Sequence, residues 1–308
     1  MKQYKRIMLG ANSVFSNQCY EGGFIGADFI SDIDMTNNLP EKWREFNIAF
    51  RPIWLKSHPG KSKIAAGLAC GMLWTICKGI KTGDIVLCPT GEGRYYVGEI
   101  TSNYYYQSKT VLPHRRKVNW YSSFIDRSDM SDALRNSTGS IGTVSDITKY
   151  SEEIEILLKG KKPPMIFSND EAVEDASAFA LEKHLEDFLV KNWGSTELGN
   201  DYDIYEENGE LVGQQYQSDT GPIDILAISK DKKTILVVEL KKGRVSDNVV
   251  GQIQRYMGYV KEELAEDNQN VRGIIIGLED NLKIKRALSV ASNIEFYRYR
   301  VNFKLFKG

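Results

Sequence analysis

Two runs of β-branched and aliphatic residues, GPIDILAIS (221–229) and TILVVELK (234–241), stand on either side of the polar stretch KDKK (230–233). Runs of strand length joined by a short turn-like segment fold as an antiparallel hairpin. Asp224 sits in the first run, and Glu239 and Lys241 sit in the second. Glu239 and Lys241 are two residues apart, so within a strand they share a face. A two- or four-residue loop centred on Asp231-Lys232 pairs residues whose numbers sum to 463, which sets Asp224 opposite Glu239. Their Cβ atoms would then lie on the order of 5 Å apart. A three-residue loop with a bulge would shift that register by one.

Two carboxylates this close repel unless a cation lies between them. A single Glu-x-Lys at a strand end is ordinarily a solvated edge; a facing Asp changes the balance, because burying charge costs several kcal/mol without compensation. The hard-cation solution is Mg²⁺, held by one or two carboxylates with water and phosphate oxygens completing its shell. Lys241 can then hold a phosphate oxygen or lower the pKa of a water, and the chemistry implied is attack of that water on a phosphodiester.

The segment AFALEKHLEDFLVKNW (178–193) predicts a helix whose apolar stripe contains Ala178, Leu185, Leu189 and Trp193. Glu182 falls in the middle of that stripe, while Glu186 falls toward its flank and reads as ordinary surface. On the helix predicted over 246–267, Val249, Gln252 and Tyr256 share a face, and Gln252 can orient water or phosphate.

The order is therefore a helical Glu, a strand Asp, a Glu-x-Lys strand, then a Gln helix. This half resembles the PD-(D/E)xK nuclease superfamily, and within it the nuclease domain of NucS-type (EndoMS) DNA endonucleases and related restriction nucleases. GPIDILA carries the Pro-x-Asp element, with Ile223 as a tolerated spacer, VVELKKG the Glu-x-Lys element, and GQIQRYMGYVKEE with VRGIIIG the Gln helix and next strand. The likeness covers roughly residues 175–300. It implies an active-site set of Glu182, Asp224, Glu239, Lys241 and Gln252, with Asp224, Glu239 and Glu182 as ligands of Mg²⁺, for which Mn²⁺ can substitute. Lys242, Arg244 and Arg255 are expected to contact DNA.

The segment LLKGKKPPMIFSND (157–170) combines lysines with a Pro-Pro pair that opposes helix. We expect domains at 1–155 and 171–308 with a linker over 156–170. The first half is aromatic-rich and reads as short pieces: a strand at 22–30, a helix at 61–79, a hairpin from 83–90 and 94–101, and a strand at 115–121. Its aromatic hairpin cadence is similar to PUA/EVE-like domains and to N-terminal modules fused to restriction nucleases. That likeness implies a DNA-recognition domain able to accept a modified base. Tyr105 and Trp120 offer stacking surfaces, and His114, Arg115, Arg116 and Lys117 offer charge for phosphates.

The expected fold class is α/β in two domains: an N-terminal mixed, β-barrel-like α+β domain and a C-terminal restriction-endonuclease-like core with a central mixed sheet flanked by helices. The net charge of −1 confines any nucleic-acid-binding surface to local patches. Three scattered histidines give no nucleophilic triad, and four cysteines without C-x-x-C spacing give no zinc site and suit a reducing cytoplasm. The apolar run at 64–77 is shorter than the roughly 20 residues of a membrane span. We thus expect a cytoplasmic, Mg²⁺-dependent DNA endonuclease acting on double-stranded DNA, modified DNA included, as a homodimer. Because the first half does not resemble the NucS N-terminal domain, a restriction or anti-phage role leads. The alternatives are a NucS-like mismatch or branched-DNA repair nuclease and a non-catalytic nucleic-acid-binding protein.

Overall fold

A computed structural model describes residues 2–139, 142–160, 185–207, 210–241 and 248–299. Glu182, Lys242 and Arg244 lie outside them. The chain divides into two units, Met1–Phe167 and Ser168–Gly308.

The first unit contains β1 (Tyr4–Ile7), α1 (Ser16–Gly22), β2 (Phe24–Ala27), α2 (Trp43–Ser57), α3 (Lys63–Trp74), β3 (Ile85–Pro89), β4 (Arg94–Ile100), β5 (Tyr105–Tyr106), β6 (His114–Asp126), α4 (Asp132–Thr138), β7 (Val144–Asp146) and α5 (Ser151–Leu158). Its curled mixed sheet runs β2-β6-β4-β3-β1-β7, with β5 paired to β6. β1 and β3 are parallel, while β3 and β4 form the antiparallel hairpin predicted at 83–101. The long β6 pairs with β4 along its second half and with β2 and β5 at its start, which curls the sheet.

Alternation along β3 divides two cores. Val86 and Cys88 join Phe46, Phe50, Trp54 and the alanine-rich face of α3 on one side. Ile85 and Leu87 join Leu134, Ile154 and Leu157 of α4 and α5 on the other. Ser62 caps α3 by accepting from Ala65 N at 3.1 Å. The α-helix ends at Trp74 rather than 79, and Thr75–Gly79 continues as a wider π-type turn. α2 was not predicted; it buries Phe46, Asn47, Phe50, Arg51 and Trp54 as one stripe despite Pro52 in its interior.

The second unit contains a helix over 185–191 (α6), β8 (Tyr202–Ile204), β9 (Glu206–Glu207), β10 (Glu210–Leu211), β11 (Gln214–Ser218), β12 (Gly221–Ser229), β13 (Thr234–Leu240), α7 (Asn248–Tyr259), β14 (Asn270–Gly277), α8 (Leu282–Leu288) and β15 (Ile294–Arg298). Its sheet runs β11-β12-β13-β14-β15, with β8 paired to β12. The strand predicted over 211–217 is split at Gly213. There a Cβ would lie 2.2 Å from Leu226 O, so the backbones approach too closely for any side chain. The helix predicted over 281–292 ends early, at Leu288.

β12 and β13 are antiparallel with Ile225 opposite Val238 and Leu226 opposite Val237, the register that sums to 463. β13 and β14 are parallel, joined through α7. Ile225, Leu236, Val238, Leu240, Ile274 and Ile276 pack one face together with Leu189, Val190 and Trp193. Asp224 and Glu239 therefore emerge on the opposite face, the one that α7 covers. Gly273 lets α7 sit down on β14: a Cβ there would meet Met257 Sδ at 2.6 Å and Ile253 Cδ1 at 3.0 Å.

Candidate active site

The hairpin delivers its charges by backbone geometry. Leu240 N donates to Asp224 Oδ2 at 2.7 Å, so the carboxylate of β12 is tied to the residue between Glu239 and Lys241. Glu239 is 2% exposed, and Lys241 Nζ donates to its Oε1 at 2.6 Å. Lys241 continues the strand pattern past β13, its N–H donating to Ile276 O of β14 at 2.8 Å. α7 presents Gln252 and Tyr256 one turn apart, with Gln252 Nε2 donating to Tyr256 Oη at 3.3 Å.

A third carboxylate, Glu186, joins from α6; Glu182, which the helix phase selects, lies outside the described residues. Glu186, read above as flank surface, is 5% exposed. Its Oε1 accepts from Gln214 Nε2 at 2.6 Å and its Oε2 from Gln215 Nε2 at 2.7 Å. The Gln215 amide also donates to Asp224 Oδ1 at 3.1 Å, which links Glu186 to the hairpin acids. No helical wheel could find this, because the partners come from β11, which pairs with β12 antiparallel. The sequence signal lay instead in GQQYQ, two adjacent amide side chains leading into the Pro-x-Asp strand.

Clustering has an electrostatic consequence. Asp224 is pushed up to about 8, mainly by burial and then by the charge of Glu239, with Glu186 adding to the rise. The Leu240 N–H and the Lys241 ammonium act in the opposite direction. Burial also raises the Tyr256 phenol, and the charges of Glu239 and Asp224 add to that rise.

Among the described residues no three His, Cys, Asp or Glu side chains are grouped so as to hold a metal by themselves. The donor set instead suits a hard cation that keeps much of its water: two facing carboxylates, with the Lys241 ammonium and Gln215 amide now supplying the positive ends. Asp224 and Glu239 are the residues that could take such an ion.

The expected DNA contacts of the first unit need correction. His114, Arg115 and Arg116 are buried rather than presented to solvent, because the start of β6 lies inside the fold. Arg116 donates to Ser102 O at 2.7 Å and Ile80 O at 2.6 Å, with longer bonds to Ile76 O and Cys77 O. Arg115 stacks 3.8 Å over Phe24 and donates to Leu112 O, Val111 O, Gln107 and Thr110. The His114 ring lies between Tyr104 Oη and Ile30 O. Lys117 is exposed, Tyr105 and Trp120 are half-buried, and in the second unit Arg255 is exposed. Trp120 donates to Cys19 O and belongs to a cluster with Tyr20, Tyr96 and the exposed Phe124.

Residues 181–301 match the family model described as the endonuclease NucS C-terminal domain. The second unit is similar to the NucS C-terminal domain. Endonuclease NucS of Methanocaldococcus jannaschii is 28% identical over 150 residues, 49% of this chain and 52% of that protein. Endonuclease NucS of Sulfolobus acidocaldarius is 28% identical over 127 residues, 40% of this chain and 43% of that one. The chain thus spans about half the length of the curated NucS relatives it matches. A solved EndoMS–double-stranded DNA complex aligns with TM-score 0.32 and 14% identity, covering 68% of this chain and 62% of that one. Residues 6–148 match a different model, a domain of unknown function (DUF8426). No helix among the described residues is long and apolar enough to cross a membrane.

Proposed function

We propose that this chain is a divalent-cation-dependent endonuclease that hydrolyses phosphodiester bonds in DNA. The observation carrying that reading is the Leu240 N–H bond to Asp224, which fixes the acid of one strand against the Glu-x-Lys element of the next. Asp224 and Glu239 would hold the cation. Bound there, Mg²⁺ or Mn²⁺ supplies positive charge to the phosphate oxygens and acidifies the attacking water. Lys241, half exposed beside buried Glu239, can donate to a phosphate oxygen as negative charge develops in the transition state. Gln252 and Tyr256 flank the site from α7 and can orient water or phosphate.

The matched relatives are NucS endonucleases, which supports a NucS-like repair nuclease over the restriction or anti-phage role. A specific observation keeps that second reading in play: the match to curated NucS proteins covers at most half the chain, and the first unit matches a separate domain. Target choice is accordingly assigned to the first unit, and cutting of both strands to two copies of the chain. The deciding experiment incubates wild type, Glu239→Ala and Lys241→Ala with mismatched, branched, unmodified and modified DNA in Mg²⁺ or Mn²⁺. Cleavage by wild type but by neither variant is expected, and cleavage retained in Glu239→Ala would overturn the assignment. Preference for mismatched or branched DNA selects the repair role; discrimination between unmodified and modified DNA selects defence.

A further inference from the structure

One residue in this site has a backbone that side chains rarely adopt. Gln215 lies within β11 at φ +52°, in the left-handed region. Its neighbours keep the ladder, Gln214 opposite Ile225 and Tyr216 opposite Ile223, which places Gln215 across from Asp224. Tyr216 is 1% exposed and anchors the strand on the following residue. The strained conformation therefore persists inside a well-held strand, where the surrounding structure over-determines it.

What the conformation achieves is a bridge. The single Nε2 of Gln215 reaches Glu186 Oε2 at 2.7 Å and Asp224 Oδ1 at 3.1 Å, one amide donating to carboxylates from two different elements. Asp224 Oδ2 is taken by Leu240 N, and Glu186 Oε1 by Gln214, so the orientation of both carboxylates is fixed by donors around them. An uncharged donor suits this place: an ammonium would compete with a cation for the acids, and another carboxylate would add to their repulsion.

We propose that Gln215 is a positioning residue that holds Asp224, through its bridge to Glu186, in the orientation needed to take a divalent cation. This rests on the cation-dependent reading above. Gln215 does not itself contact the scissile phosphate; it sets the ligand that does the binding.

The test uses the full chain, with Mn²⁺ as the probe and three readouts: Mn²⁺ affinity by calorimetry, melting temperature in EDTA and with Mn²⁺, and kcat against KM for DNA. Gln215→Leu removes the amide donor and ends one atom short of it. It is expected to bind Mn²⁺ at least 10-fold more weakly, to melt below wild type in EDTA because two carboxylates lose a donor, and to lower kcat while leaving KM unchanged. Gln215→Glu adds a carboxylate beside two others. Its melting temperature is expected to fall in EDTA and to recover with Mn²⁺ more than wild type gains. Wild-type Mn²⁺ affinity in Gln215→Leu, or no added recovery in Gln215→Glu, overturns the proposal. Should Gln215→Leu fail to fold, the Gln215→Glu comparison decides alone. Absence of Mn²⁺ binding by wild type overturns the cation-dependent reading and this inference with it, an outcome distinct from wild-type-like behaviour of the variants alone.

Discussion

Lys241 and Glu239 form an ion pair of 2.6 Å in which the ammonium is partly open to solvent and the carboxylate is not, at 31% and 2% side-chain exposure. The asymmetry suits the proposed roles: Glu239 is buried against the ammonium, and Lys241, partly open to solvent, can also donate to an incoming phosphate. Replacing Lys241 by Met should lower cleavage by roughly 100-fold or more. In EDTA it should also cost about 1–3 kcal/mol of stability, because a buried carboxylate loses a charged donor. Urea denaturation with and without Mg²⁺ measures this, and the loss should shrink when Mg²⁺ is present.

The pH dependence of the cation-free chain follows from Asp224. Its value rises from 3.8 in the unfolded chain to about 8 in the fold, so between those limits the native state holds more protons than the unfolded one. Its contribution to stability is therefore greatest below about pH 4 and is lost as pH rises toward 8. Melting curves in EDTA at pH 5 and pH 8 should show the decline. Asp224→Asn should flatten it and melt above wild type at pH 8.

Packing of α7 on β14 gives a prediction remote from the chemistry. Gly273→Ala places a methyl 2.6 Å from Met257 Sδ, which should cost about 1–3 kcal/mol and lower cleavage by displacing the helix that carries Gln252 and Tyr256. Adding Met257→Ala makes room for the methyl. A double-mutant cycle on stability should show coupling of about 0.5 kcal/mol or more, with the double variant recovering cleavage relative to Gly273→Ala.

Arg116 and Lys117 should separate folding from binding. Arg116 is enclosed by main-chain carbonyls, so Arg116→Met should destabilise the first unit by about 3 kcal/mol or more. Lys117→Ala is expected to melt within a degree or two of wild type. If Lys117 meets a phosphate, the change lowers DNA affinity and makes its salt dependence shallower by about one unit of slope. Thermal melts and DNA titrations across salt concentration distinguish the two.

How far the sequence reaches is clear from these residues. The β12–β13 register was legible in that a two- or four-residue turn within KDKK gives the pairing observed and sets Asp224 against Glu239, whereas a three-residue bulged turn would have shifted it by one. Glu186 was not legible, since its burial depends on amides delivered by a strand whose pairing only the tertiary fold defines. HRRK was misread for a related reason: four basic residues in a row suggest solvent, but β6 carries the first three into the fold, where carbonyls at the end of the α3 segment receive Arg116. α2 is not legible in the residues because Pro52 and interspersed charges hide a regular buried stripe.

Strand β3 gives its alternate side chains to different hydrophobic cores, and this makes it a party wall. Loosening either room moves the wall of the other, so the first unit should melt in one step despite containing two cores. The amide protons of Val86 and Leu87 should be among the slowest in that unit to exchange with solvent, reporting its global opening rather than any local one.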